Sequence, residues 1–204
     1  MSARGRPRAF DRDAALRSAM EVFWARGYEG TSLTDLISAM GINAPSLYAA
    51  FGSKEALFLE ATELYTRVEG TGIWTVLETA PTTHAAIAGF LKATAEAYSQ
   101  DGKPQGCLIA LGALHHDTSS DIICTDLRRR RAENLAALQR RFERGVAEGE
   151  LAENFDTAAA AIFYSTVQHG MSIQARDGAT YEALMDVADG AMAAWQPLMA
   201  KAGA

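Results

Sequence analysis

Between Thr31 and Ser53 the chain is punctuated so closely that two short helices and one tight turn are all that fit. Ser32 and Asp35 stand at capping-box spacing, where hydroxyl and carboxylate each satisfy a free backbone N–H at a helix start. Leu33, Leu36, Ile37 and Met40 line one face of the helix that follows, and Gly41 supplies the left-handed residue that stops it. After Ile42, Asn43 is a good N-cap and Pro45 falls in the first turn, where a missing N–H does no harm. The second helix ends near Phe51 and Gly52. Helices over about 32–40 and 44–51 joined by a glycine turn make a helix-turn-helix. Leu36, Ile37, Ile42, Leu47 and Phe51 can lock the crossing as a small core. The second helix then offers its N-terminal end and outer face to a DNA major groove, and its free N–H groups to phosphate.

The rest of the chain repeats the three-and-four apolar spacing, and no segment reads convincingly as a strand. The predicted class is all-α, with about nine helices. The others run over about 11–26, 53–68, 82–99, 107–115, 120–148, 156–175 and 180–199. Gly70, Gly72 and Pro81 are expected to break the chain between the fourth helix and the next. The expected organisation is a disordered basic arm at 1–9, a DNA-binding domain at 10–69, and a larger domain at 70–204.

Charge decides where DNA can be met. The net charge is -6, but residues 1–68 hold 8 basic and 8 acidic side chains, whereas 69–204 hold 11 and 17. An acidic body repels phosphate, so any contact belongs to the neutral end and its tip, Arg4, Arg6 and Arg8. The stretch Arg4-Gly5-Arg6-Pro7 resembles an AT-hook core, a form suited to the minor groove. No apolar run is long enough for a membrane helix, and two cysteines do not make a disulfide framework, so no membrane is expected and the expected location is cytoplasmic.

The stretch FWARGYEGTSLTDLISAMGINAPSLYAAFGSKEALF resembles the DNA-binding region of the tetracycline-repressor (TetR) family of bacterial regulators. The likeness covers about residues 10–60. It implies a homodimer, repression of nearby genes from a double-stranded DNA operator, and a small-molecule effector bound in the larger domain. Carried over by position, Thr31 and Ser32 would meet phosphates and Thr34 a base or phosphate. Asn43, Ala44, Pro45, Ser46, Tyr48, Ala49 and Ala50 would form the recognition surface, with Tyr48 and Lys54 gripping phosphates. Many relatives carry a large aromatic or His after the Tyr. Here Ala49 and Ala50 can only pack on thymine methyls, which shifts the weight of discrimination to DNA shape and the arm.

In the larger domain an apolar effector pocket would draw on Trp74, Phe90, Tyr98, Cys107 and Leu111, with His115, Phe142, Phe163, Gln168 and Met171. Each of these is also an ordinary core residue by type. Gln168 and His169 stand out as polar groups on an apolar helix. The last two long helices are rich in small residues. Ile162, Phe163, Val167 and Gly170 on one, and Leu184, Val187, Ala188, Ala191 and Trp195 on the other, suit a four-helix dimer interface or an intramolecular core. Cys107 at a helix start is either a small buried residue or a thiol that senses oxidants or electrophiles. His115, His116 and Asp117 lack further spaced ligands, so neither metal nor cofactor is expected. Arg128 to Arg131 point all round a helix and read as a salt-bridged face rather than a basic strip. An enzyme would need a convergent acid–base or nucleophile set, and the chain offers none. A regulator whose head no longer binds DNA stays open, because the recognition helix is rich in Ala.

Overall fold

The computed structural model describes residues 10–113 and 121–200, with side chains through 198. The expected arm at 1–9 and the His115–Asp117 cluster lie outside the described residues. Among the described residues there are helices and no strand. In chain order they are α1 (Arg12–Arg26), α2 (Leu33–Met40), α3 (Ala44–Phe51), α4 (Lys54–Tyr65), α5 (Thr71–Thr79) and α6 (Thr83–Tyr98). Then follow α7 (Leu108–Leu111), α8 (Asp121–Ala147), α9 (Thr157–Arg176), α10 (Tyr181–Ala193) and α11 (Trp195–Ala200).

The first four helices share one aromatic core. Phe58 of α4 meets Phe23 of α1 edge to face at 4.9 Å and Tyr28 at 5.3 Å. Leu16, Met20, Leu36, Leu47, Phe51 and Leu57 are among the other residues buried there. Two ion pairs fix the angles from outside: Arg12 to Glu60 joins α1 to α4, and Arg26 to Asp35 joins α1 to α2. In the body, α5 pairs with α6, α8 with α9, and α10 lies across α6 and α9.

Three boundaries differ from the sequence reading. The chain does not break at 70. A π-helical turn, Thr66–Gly70, carries α4 directly into α5, which no expected helix covered. Gly70 and Gly72 keep negative φ and simply continue the helix, and Pro81 lies beyond its end. The helix expected over 107–115 is a single turn, Leu108–Leu111. The last helix is interrupted at Ala194, so Trp195 begins a separate short helix.

Two expectations about packing are also corrected. Leu184, Ala188, Ala191 and Trp195 are buried within the chain and are not free to form a dimer face. Trp195 packs edge-on against His84 at 5.0 Å and stacks on Phe142 at 6.3 Å. Phe142 is closed in by Phe155, Tyr164 and Trp195, so it belongs to the core and not to a pocket. Met171 is likewise fully buried. Of the four arginines at 128–131, Arg129 pairs with Asp126 and Glu133, Arg130 with Asp126 and Glu63, and Arg131 donates to the Ile109 carbonyl.

Candidate nucleic-acid interface and effector pocket

The helix-turn-helix is held by local hydrogen bonds that the sequence announces. Ser32 Oγ accepts from Asp35 N at 3.1 Å, and Asp35 Oδ2 accepts from Ser32 N at 2.9 Å, which is a complete capping box. The Ser32 hydroxyl and amide, with Arg26, hold the Asp35 carboxyl down to about 2. A carboxylate with a lowered pKa contributes its stability above the ordinary carboxylate range and loses it as pH falls through about 2, so this cap is intact at neutral pH. Gly41 adopts the left-handed conformation, φ 64 and ψ 29, and its N–H returns to α2 carbonyls. Asn43 Oδ1 then accepts from Ser46 N at 2.9 Å to open α3.

Burial separates the two faces of α3. Leu47 and Phe51 are buried, while Pro45, Tyr48 and Ala49 are exposed and Ala44, Ser46 and Ala50 are half-buried. Tyr48 is 45% exposed, unusual for an aromatic side chain in a packed domain, so it is free to reach a partner. Ser32, Thr34 and Asn43 are exposed on the same module. Lys54 begins α4 and is half-buried, its Nζ 4.2 Å from the centre of the Tyr28 ring. Burial lowers its pKa, against the pull of Glu29 and Glu55. Tyr28 is raised by burial and then by its hydrogen bond to Glu55. Thr31 corrects the expected phosphate set. It is buried, and its hydroxyl donates to the Gly27 carbonyl at 2.7 Å, bracing the α1–α2 connection.

The body holds a pocket of about 50 Å³ where α4, the π turn and α5 face α8 and α9. Of the expected wall, Trp74, Tyr98, Cys107 and Gln168 line it. Phe90 stands behind Trp74 at 5.3 Å, and Phe163 is half-buried elsewhere on α9. Leu111 and His169 line a separate surface groove with Arg131, and burial followed by that arginine lowers the His169 pKa. His115 lies outside the described residues. Sequence reading missed Tyr65, Thr66, Arg130 and Asn134, which join the wall from α4, the π turn and α8. A helical π turn has no periodic signature, so nothing in the pattern announces them. Tyr65 and Tyr98 are buried beside Cys107, and burial first, then the nearby thiol, raises both phenols. Gln168 is buried, with Nε2 at 3.5 Å from Thr94 Oγ1. No group of His, Cys, Asp or Glu among the described residues has the arrangement of a metal site. No described helix is long and apolar enough to cross a membrane.

Three large apolar side chains of α9 and α10 are exposed: Ile162 is 55% exposed, Ile173, which borders the groove with Leu111 and His169, 48%, and Val187 41%. Gly170 is exposed between them, and Phe163 and Val167 are half-buried.

Comparison with known proteins agrees with this geometry. The family described as bacterial regulatory proteins, tetR family, matches residues 15–61. The HTH-type transcriptional repressor ComR of Escherichia coli (strain K12) is 36% identical over 197 residues, 96% of this chain and 94% of that protein. The HTH-type transcriptional repressor BdcR of the same organism is 31% identical, covering 88% of this chain and 86% of its own. A cysteine mutant of the TetR family transcriptional regulator CifR, complexed with 26-bp double-strand operator DNA, superimposes with a TM-score of 0.89. It shares 45% identity, over 93% of this chain and 100% of that one. The chain belongs to the TetR family of helix-turn-helix transcriptional regulators.

Proposed function

We propose that this regulator is a repressor that binds a palindromic operator as a homodimer and is released by a small apolar or aromatic effector. The observation that carries the reading is the division of α3, with Leu47 and Phe51 locked inward and Tyr48 left exposed beside Pro45 and Ala49. Tyr48, Lys54, Ser32 and Thr34 are assigned to phosphates, and Asn43, Ala44, Ser46, Ala49 and Ala50 to the groove. Arg4, Arg6 and Arg8 are assigned to the adjacent minor groove. Tyr48→Ala and Lys54→Ala are each expected to weaken operator binding about tenfold, the loss of one charge-associated hydrogen bond, with folding unaffected. Fluorescence anisotropy beside a thermal melt measures both. Unchanged affinity in both variants at physiological salt removes the assignment.

Two-fold pairing is assigned to the exposed sides of α9 and α10, because they carry Ile162, Ile173 and Val187 as exposed apolar side chains, with room for close approach at the exposed Gly170. Ile162→Asp combined with Val187→Asp is expected to give a folded monomer at micromolar concentration, measured by light scattering. A dimer of undiminished stability places the interface elsewhere.

The effector is assigned to the pocket between α5 and α8. A volume of about 50 Å³ holds one or two waters, far below the ~300 Å³ at which ligand sites begin. An effector therefore moves the walls, and those walls include Tyr65 and Thr66, which continue α4 out of the reading head. A second reading is favoured by the place of Cys107 on the same wall: an electrophilic effector captured by the thiol. Under the second reading an alkylating agent releases the DNA and Cys107→Ser abolishes that release; under the first, alkylation of Cys107 leaves DNA binding unaffected.

A further inference from the structure

We infer that Arg176 and the segment 105–112 form a stiff joint through which a change in the pocket reaches α1 of the reading head, with Arg176 as its positioning residue. The inference deepens the proposed effector response and rests on it for its biological meaning. The joint itself is a property of the fold.

The last carbonyls of a helix have no partner within it. At the end of α1 two of these, Trp24 O and Ala25 O, accept from Arg176 Nη2 and Nη1, both at 2.8 Å. Arg176 Nε donates to the Gln105 carbonyl at 2.9 Å. One planar guanidinium thus ties the end of α9, the end of α1 and the loop before α7, and its charge suits both helix C-termini. Around it the 105–112 segment is bonded on each side. Toward the head, Trp24 Nε1 donates to the Gly106 carbonyl at 2.8 Å and Tyr28 N to the Gly112 carbonyl at 3.0 Å. Toward the body, Cys107 N donates to Ser172 Oγ at 2.8 Å and Gly106 N to the Tyr98 carbonyl at 3.2 Å. The approach is close: a Cβ at Gly27 would lie 3.1 Å from Gly112 O. Cys107 and Ile109 of this segment line the pocket. The pocket wall and the anchorage of α1 therefore share one short segment, Cys107 and Ile109 lining the pocket while Gln105, Gly106 and Gly112 carry the bonds to Arg176 and α1.

Native-state hydrogen exchange of the full chain tests the joint without requiring an operator or an effector. The perturbation is Cys107→Leu, a larger side chain in the pocket wall, and the readout is exchange over 24–28, which includes the Tyr28 amide. With Arg176 present, the substitution is expected to speed exchange there about fivefold. In the Arg176→Ala background the same substitution adds less than about twofold, because the head is already uncoupled, and Arg176→Lys is intermediate. A merely structural arginine gives equal factors in both backgrounds, and that result overturns the inference, as does no response at 24–28 in either. If Arg176→Ala is too unstable to study, Trp24→Phe removes the Gly106 bond and completes the same cycle with the same two outcomes. A chain that selects no duplex from a random DNA pool yet shows this coupling refutes the repressor reading alone.

Discussion

Phe58→Ala is expected to destabilise the protein by about 3–5 kcal/mol and to abolish operator binding with it. The ring is fully buried at the point where α4 meets α1, with edge contacts to Phe23 and Tyr28 at 4.9 and 5.3 Å. Each aromatic pair contributes about 0.5–1.5 kcal/mol beyond the area it buries, and truncation also leaves a cavity that the surrounding structure closes only in part. Because Lys54 lies over the Tyr28 ring that Phe58 also touches, loss of the Phe58 ring also frees the platform that positions the lysine. Urea denaturation measures the change, with Phe58→Leu as a control expected to lose clearly less. A loss below about 1 kcal/mol for the alanine variant contradicts this packing.

Gly106→Ala is expected to cost about 2–4 kcal/mol and to disturb the pocket and the head together. Gly106 holds φ at +75, and a Cβ there would lie 2.6 Å from the Ser172 carbonyl oxygen, a backbone atom that cannot swing away. Left-handed strain alone costs about 1 kcal/mol, and the collision adds the rest. Gly41→Ala separates the two contributions, because Gly41 has φ +64 and nothing within 4 Å of the added Cβ. It should lose only about 1 kcal/mol, so equal losses at the two positions would mean that the close approach at Ser172 is not a constraint.

Local chemistry made the reading head legible. Ser32 and Asp35, Gly41, and Asn43 with Pro45 each act within a few residues, so their spacing carries the geometry and the structure reproduces it. Long-range choices were not legible. The spacing of Leu184, Ala188 and Ala191 matches an interface as well as a core, and only the packing of α10 on α6 and α9 shows that these residues face inward. Gly70 and Gly72 look like breakers, yet glycine accepts right-handed helix, and a π turn takes up the join to α5. Thr31 reads as a surface hydroxyl until the Gly27 carbonyl appears beside it. Arg176 carries no sequence signal at all, because its partners are backbone carbonyls about 70 to 150 positions away. In the pocket, the wall residues from α8 and the π turn escape notice because periodicity describes one helix at a time.

On the proposed function, α3 reads an operator from a two-fold pair of these chains. The most direct measurement is a mobility shift, with stoichiometry, on the DNA flanking this chain's own gene. Saturable, salt-sensitive binding of an even number of chains to a palindromic segment is expected, with half-sites about one helical turn apart or a multiple of it, weakened by Tyr48→Ala. Binding by a single chain, or binding indifferent to sequence and to Tyr48→Ala, would contradict it.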